Sequence, residues 1–217
     1  MRAMILACAS LAEHVAAAQK AVGTRHPARF LDRRLHVDPP RLGRAIAAEL
    51  AELPADTDTV LAAMGWCGGA WAGLRAPKRL VLPRVDDCVT LLLTVDGEPR
   101  FNRKEPGWLY VKDRNPERHS FRRAFSGWTQ TMDAEAKRRE EAAWRKHCAA
   151  VAVIETGLFD CRAPEYLAAA KRDADWLGAP LRFAAGGNLL LEKLCSGRWD
   201  AQFAVFEPGA SIEAAGG

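Results

Sequence analysis

The sequence lacks several features that would define its class directly. It has no apolar run of about 18 to 20 residues, the length that a membrane-spanning helix requires. None of its six cysteines forms a Cys-x-x-Cys pair, which excludes a zinc ribbon and a thioredoxin-like motif. Neither sign of charge dominates, since 31 basic and 27 acidic residues give a formal net charge of +4. We therefore expect neither a nucleic acid nor a membrane as partner.

Repeats, low-complexity linkers and a secretory signal are also missing. The apolar stretch near the amino terminus is interrupted by Glu13 and His14, so it does not resemble a signal peptide. We therefore expect a cytoplasmic protein whose cysteines are thiols. The 217 residues are 49% hydrophobic and 27% charged, as is typical of globular proteins. A chain of this length buries a sizeable core without disulfides.

Short apolar runs alternate with segments of helical periodicity along most of the chain. Strand-like runs occupy residues 3–7, 30–35, 59–64 and 79–82, and Pro39 stands where a helix can begin. This alternation predicts an α/β fold with a doubly wound, mostly parallel open sheet, Rossmann- or flavodoxin-like. We expect a single domain over residues 1–210.

Two segments depart from this pattern. Residues 96–127 contain repeated Gly and Pro turn signals among scattered aromatic residues, which predicts an inserted loop or lid. Residues 211–217 are expected to form a frayed tail.

Three cysteines stand at the predicted ends of strands. Cys8 ends the first strand, Cys67 follows the third, and Cys88 follows the fourth near the start of a helix, which favours its thiolate form. In a flavodoxin-like order these strands are neighbours, and ligands bind outside their carboxyl ends. Three thiolates there can hold zinc with an open fourth position, or an iron–sulfur cluster. Alternatively, each thiol packs as a small apolar group.

The remaining candidates carry weaker signals. Asp86 and Asp87 are candidate extra ligands or a catalytic base, or one of them caps the next helix. Arg84 is a candidate to neutralise an anionic substrate, or alternatively to pair with a carboxylate. The backbone amides of residues 186–188 are candidates to cradle an anion, although a glycine pair at such a turn is often simple geometry. These three residues are Gly186, Gly187 and Asn188.

The histidines and the other cysteines are assigned no role. We expect His14 and His36 to be solvated rather than to bind a metal. We interpret the cysteines that lie in or beside helices and strands as structural; they are Cys148, Cys161 and Cys195. The glycines of residues 65–69 do not form a dinucleotide-binding fingerprint.

Several motifs resemble the domain-of-unknown-function 1638 family. They are Gly-Trp-Cys-Gly-Gly at residues 65–69, Pro-Arg-Val-Asp-Asp-Cys-Val-Thr-Leu at 83–91, and Ile-Glu-Thr-Gly at 154–157. The segments at residues 5–8 and 190–200 also fit, so the resemblance covers nearly the whole chain. Two positions depart from the family pattern. Asp86 stands where the family usually has histidine, and Trp66 replaces a small or aliphatic residue.

The resemblance implies a link to one-carbon metabolism, because genes of this family often lie beside those of corrinoid-dependent methyltransferases. We therefore expect a metal–thiolate protein, with zinc on Cys8, Cys67 and Cys88, that serves corrinoid-linked methyl transfer. Its substrate is expected to be a small molecule, a thiol or a methylated amine, with any corrinoid carried by a partner. Two alternatives remain: a non-catalytic factor that docks on a corrinoid protein or methyltransferase, and an iron–sulfur redox protein.

Overall fold

The computed structural model describes residues 2–213, which divide into two compact units. The first unit comprises residues 2–103 and 188–213, and the second comprises residues 104–187. Each unit has its own sheet. The predicted, mostly parallel α/β fold is confirmed, although the strands form two sheets rather than one.

The first unit contains a five-stranded sheet. Its strands are β1 (Ala3–Cys8), β2 (Ala28–Leu31), β3 (Thr59–Ala63), β4 (Arg79–Pro83) and β8 (Phe203–Phe206). Their order is β2-β1-β3-β4-β8, and only β8 runs antiparallel to its neighbour. As the flavodoxin-like order predicts, β1, β3 and β4 are adjacent. Their carboxyl ends therefore lie along one edge of the sheet.

Helices cover both faces of this sheet. They are α1 (Ala12–Val22), α2 (Pro39–Ala51), α3 (Cys88–Leu93) and α7 (Leu189–Ser196). Leu6 and Val60 of the strands share one buried cluster with Leu42 and Ile46 of α2. Helix α7 contacts α1, β3 and β4. Because successive strand residues point to opposite faces, apolar runs such as β1 can pack on both sides.

The second unit contains a three-stranded parallel sheet. Its strands are β5 (Trp108–Val111), β6 (Ala150–Glu155) and β7 (Leu181–Ala185), in the order β5-β6-β7. Its helices are α4 (Phe121–Trp128), α5 (Ala134–His147) and α6 (Pro164–Leu177). Residues 96–127 are thus not one long loop, because β5 and most of α4 lie within them. The residues of β5 pair with β6, and this pairing makes the segment a strand although turn signals surround it in the sequence.

Helix α4 begins with a cap supplied from another helix. The amides of Phe121 and Arg122 donate to the carboxylate of Asp173, a buried residue of α6, at 2.7 and 3.2 Å. The hydroxyl of Ser120 accepts from the amide of Arg123 at 3.1 Å. Three of the amides that a helix start leaves unpaired are thereby satisfied.

The carboxyl-terminal segment is partly ordered, contrary to the expected frayed tail. Ile212 is fully buried, its amide donates to the carbonyl of Leu74 at 2.8 Å, and its own carbonyl accepts from the amide of Gly73 at 2.9 Å. An apolar side chain with paired backbone groups holds this segment in place. The rest of the predicted tail, residues 214–217, lies outside the described residues. Within residues 2–213, no helix has both the length and the apolar character to cross a bilayer.

Candidate functional site

The three strand-end cysteines lie along the carboxyl edge of the first sheet. Cys8 is the last residue of β1, Cys67 lies in the loop after β3, and Cys88 is the first residue of α3, which follows β4. Cys8 and Cys67 are buried, and Cys88 is half-buried. The parallel order of the strands brings these residues together although they are far apart in sequence.

Backbone hydrogen bonds join the loop after β3 to the loop after β4. The amide of Trp66 donates to the carbonyl of Val85 at 2.9 Å, and the amide of Cys67 donates to the carbonyl of Asp86 at 2.6 Å. The two loops are therefore held side by side by main-chain contacts, which do not depend on the side chains present.

Gly65 allows these loops to approach so closely. A Cβ atom added at this position would lie 2.6 Å from both the Cα and the backbone nitrogen of Asp87. Real Cβ atoms do not tolerate such a distance, and the obstacle is backbone rather than a flexible side chain. Glycine at this position thus brings the segment that carries Cys67 next to the segment that carries Cys88.

The backbone of Cys67 is strained. Its φ of 48° makes it the one non-glycine residue with positive φ among residues 2–213. Left-handed backbone is unfavourable for a side chain with a Cβ, and a cysteine cannot offset the cost with the local hydrogen bonds available to Asn or Asp. Gly68 next to it, with φ of 69°, has the same conformation without that cost. Backbone strain of this kind is concentrated at functional sites.

The hydroxyl of Ser10 links two of the thiols. Its oxygen lies 3.0 Å from Sγ of Cys8 and 3.9 Å from Sγ of Cys88. Both sulfurs therefore contact the same hydroxyl oxygen. Ser10 follows β1 directly, so its position depends on the same strand end as that of Cys8.

Charge effects show that the third thiol belongs to the same group. Burial raises the pKa of Cys67 most, and the neighbouring charges of Cys88, Asp87 and Cys8 raise it further. These charges act on Cys67 because the sulfurs lie near one another in a weakly screened environment. Burial and these neighbouring charges therefore both favour the thiol form of Cys67.

Cys8 differs from Cys67 because a histidine and a serine lie beside it. Burial raises the pKa of Cys8, but the neighbouring imidazole of His36 and the hydrogen bonds of Ser10 outweigh it and bring the pKa down to about 7. No hydrogen bond of standard geometry joins the described side chains of His36 and Cys8. The Nε2 atom of His36 is buried and has no hydrogen-bond partner among the described residues.

His36 is a residue that sequence reasoning missed, because we expected it to be solvated. It lies in the short 3₁₀ turn Arg33–Val37, directly after β2. Since β2 is the neighbour of β1, the turn after β2 reaches the same sheet edge as Cys8. A flavodoxin-like strand order therefore already places the turn after β2, and with it His36, at this edge. We call the group formed by Cys8, Ser10, His36, Cys67 and Cys88 the cysteine edge.

The cysteine edge has a donor set suited to a soft metal ion, but its present spacing is not that of a metal centre. Within residues 2–213, no group of three or more His, Cys, Asp or Glu side chains is arranged to hold a metal ion. Two of the three sulfurs, those of Cys8 and Cys88, contact the hydroxyl of Ser10. Thiols and an imidazole are nevertheless the side chains that zinc prefers.

Comparison with known proteins gives a family without a known activity. The family described as "Protein of unknown function (DUF1638)" matches residues 30–195, which is more than half of the chain. This chain belongs to the DUF1638 family. No curated protein and no solved structure matches it. The region that matches DUF1638 contains His36, Cys67 and Cys88, whereas Cys8 precedes it.

Asp87, a candidate ligand or base within the DUF1638 region, caps α3. Its Oδ1 atom accepts from the amides of Val89 and Thr90, both at 2.9 Å. Oδ1 of the neighbouring Asp86 accepts from the amide of Asp87 at 2.9 Å. The capping role, which was one of the alternatives for this pair, accounts for Asp87 without invoking catalysis.

Arg84 is exposed and faces the edge strand β8. Its Nε donates to the carbonyl of Phe203 at 3.1 Å, and its amide donates to the carbonyl of Gln202 at 2.8 Å. These contacts fix the end of β4 against β8. The catalytic role suggested for Arg84 remains a prediction.

The glycine pair before α7 has other hydrogen-bond partners. The amide of Gly186 donates to the carbonyl of Glu155 at 3.2 Å, so that amide is not available for an anion. The side chain of Asn188 contacts Nδ1 of His14 through its Oδ1 atom at 2.9 Å. His14 is buried, contrary to the expectation that it is solvated. For Gly187, anion binding remains a prediction.

The other cysteines lie in apolar surroundings. Cys195 is buried within α7, and burial raises its pKa to about 11. Cys161 and Cys148 contribute to the apolar cluster of the second unit, and burial raises the pKa of both. These environments suit thiols that pack as small apolar groups.

Proposed function

We propose that Cys8, Cys67 and Cys88 bind a zinc ion and that this centre serves methyl transfer linked to corrinoid-dependent enzymes. The observation that carries the metal assignment is the convergence of three thiols from three parallel strand ends, one of them on strained backbone. The link to corrinoids rests on the family resemblance. We propose a small-molecule substrate, a thiol or a methylated amine.

The charges of the site support a cation. Each neighbouring negative group raises the pKa of Cys67, so the thiolate form of this residue needs a positive charge nearby. A zinc ion held by these cysteines would supply that charge and favour their thiolate forms. The pKa of Cys8, about 7, allows this thiol to ionise near neutral pH.

The protein's own residues position and shield the donors. The hydrogen bonds of Trp66 and Cys67 to the loop after β4 fix two of the cysteine-bearing segments. Burial of Cys8 and Cys67 excludes water from the sulfurs. Cys8, Cys67 and Cys88 would hold the zinc ion, which would supply the positive charge that favours the thiolate form of a substrate thiol.

Metal analysis of anaerobically purified protein tests the assignment. We expect about one zinc per chain, as in a single thiolate site. Replacing Cys67 by serine should abolish zinc binding, whereas the control Cys148→Ser, in the second unit, should not. Several irons per chain would favour the iron–sulfur alternative instead. Absence of bound metal, together with failure to take up added zinc, would contradict the proposal.

A second candidate function is docking on a corrinoid protein or methyltransferase without catalysis. It is favoured by the aromatic cluster of the second unit, where Trp128 is 53% exposed and stacks on Trp144 with ring centroids 6.3 Å apart. Exposed tryptophans of this kind are typical of contact surfaces. Under this proposal Trp128→Ala should reduce capture of a purified corrinoid protein, and Cys67→Ser should leave it intact.

A further inference from the structure

Two thiols of the cysteine edge share one polar contact in the folded chain. Oγ of Ser10 lies 3.0 Å from Sγ of Cys8 and 3.9 Å from Sγ of Cys88. These contacts bring the two sulfurs into the same small space, although the residues that carry them are far apart in sequence. All six cysteines of the chain lie within residues 2–213, and all six are free thiols.

The loop after β4 reaches this space by crossing the end of β3. Strand β3 lies between β1 and β4, so the two outer strands are about 9–10 Å apart, twice the spacing of adjacent strands. Gly65, which follows β3, leaves room for the crossing, because a Cβ added there would lie 2.6 Å from the Cα of Asp87. Cys88, the next residue, is thereby brought into contact with Ser10, which follows β1.

The two thiols differ in their access to solvent. Cys88 is half-buried, whereas Cys8 is only 1% exposed. A small oxidant such as hydrogen peroxide therefore reaches Cys88 first. Redox-sensitive cysteines are typically accessible to solvent and lie next to a second cysteine that reacts with their oxidised form. The pair Cys8 and Cys88 has both of these features.

The third thiol of the edge has different surroundings. Cys67 belongs to the apolar cluster that also contains Leu42 of α2 and Trp71. A thiol packed in this way acts as a small apolar group. The shared hydroxyl contact therefore singles out Cys8 and Cys88 as the pair able to react with each other.

We propose that Cys8 and Cys88 form a redox-active pair, which hydrogen peroxide converts into a reversible disulfide. The sulfur of Cys88 attacks peroxide, the O–O bond breaks, and a sulfenic acid and one water molecule are formed. The sulfur of Cys8 then attacks that of Cys88, so that the S–S bond forms and the S–O bond breaks. The hydroxyl group leaves with the thiol proton of Cys8 as a second water molecule. The two thiols are oxidised, and peroxide is reduced to water.

The disulfide changes the carboxyl edge of the first sheet. It links the end of β1 to the start of α3, and both sulfurs leave the hydroxyl of Ser10 to form it. It also uses two of the thiols that the proposed function assigns to zinc, so oxidation and zinc binding exclude each other. The reaction itself needs no metal and goes beyond the proposed function.

Peptide mapping of the full chain tests the proposal. The protein is reduced, treated with EDTA and transferred to anaerobic buffer before a small molar excess of hydrogen peroxide is added. Free thiols are then alkylated under denaturing conditions. We expect the number of alkylated cysteines to fall from six to four, with the peptide of Cys8 joined to that of Cys88. Dithiothreitol should restore all six.

Single substitutions test the role of each sulfur. In Cys8→Ser, the sulfenic acid of Cys88 has no second thiol to react with, and dimedone should trap it. In Cys88→Ser, Cys8 should remain a thiol over the time in which the wild type is fully oxidised. Two controls should still form the disulfide: Cys67→Ser at the same edge and Cys148→Ser in the second unit.

The outcomes separate this inference from the proposed function. Six alkylated thiols after peroxide treatment, or a disulfide that includes Cys67, would overturn the inference, and the wild-type map decides this even where a variant fails to fold. Zinc added before peroxide should slow disulfide formation. If the disulfide forms equally fast with zinc, the inference stands and the zinc assignment fails. If the chain binds zinc but its metal-free form gives no disulfide, the inference fails and the zinc assignment stands.

Discussion

The two units use the same kind of parallel sheet with different results at their carboxyl edges. In the second unit, Glu155 at the end of β6 pairs with Arg162 at 2.8 Å, and that guanidinium stacks over the ring of Phe183. In the first unit, the corresponding edge carries three thiols, one of them on strained backbone, and a histidine nitrogen with no hydrogen-bond partner among residues 2–213. A shared architecture does not by itself create a functional site. The residue types at the strand ends determine whether one forms.

The largest expected effect comes from metal binding and is confined to the first unit. Zinc at about a thousand times its Kd should stabilise that unit by about 4 kcal/mol, since it binds the folded form only. Hydrogen exchange should show slower exchange in β1, β3 and β4, with β5, β6 and β7 unchanged. Equal slowing of hydrogen exchange in both sheets would contradict a metal site confined to the first unit. Removal of zinc with EDTA should restore the original exchange rates.

In the second unit, the largest effect should come from the helix cap. Asp173→Ala removes the acceptor for two amides of α4 and should cost about 1.5–3 kcal/mol, as for hydrogen bonds to a charged group. Chemical denaturation measures the loss. The control Asp175→Ala breaks only an exposed pair with Lys171 and should cost about 0.3–0.5 kcal/mol. Equal losses would mean that the cap contributes little.

Glycine substitutions should have opposite effects in the two units. Gly65→Ala places a Cβ against the backbone of Asp87 and should destabilise the protein by about 1–3 kcal/mol. Gly127→Ala, in α4, meets no atom within 4 Å and should stabilise it by about 0.5–1 kcal/mol. Thermal unfolding of both variants shows whether the Tm falls for Gly65→Ala and rises for Gly127→Ala. Gly65→Ala should also weaken zinc binding, because it separates the cysteine-bearing loops.

An effect of similar size to that of the glycine substitutions concerns the strain at Cys67. In metal-free protein, Cys67→Gly should be more stable than Cys67→Ala by about 1–2 kcal/mol, because glycine adopts positive φ without a steric cost. Neither variant should bind zinc under the proposed function. A more stable alanine variant would show that the backbone at this position relaxes and that no strain is stored there.

Much of the first unit was predictable from local patterns. The apolar runs marked β1, β3 and β4, and the prolines at the start of α2 marked that helix, which Asp38 caps. The position of the three cysteines followed from the usual strand order of such folds. The strand β5 was missed, because turn signals surround it and only its pairing with β6 makes it a strand.

The contacts of the site could not be predicted in the same way. His36 and His14 were both expected in solvent, yet one has a buried nitrogen and the other is fully enclosed. Their surroundings come from residues distant in the chain, Cys8 for the first and Asn188 for the second. The polarity of one residue does not show which distant residues will surround it in the fold.

The sequence by itself determined the α/β class, the family and the presence of thiols at three strand ends, because periodicity and motifs are local properties of the chain. Tertiary structure alone decided that Ser10 contacts two sulfurs, that Cys67 adopts positive φ and that the turn containing His36 follows the strand next to β1. These features depend on which strands become neighbours and on how closely their loops pack. Long-range packing sets both, and no short stretch of sequence encodes it.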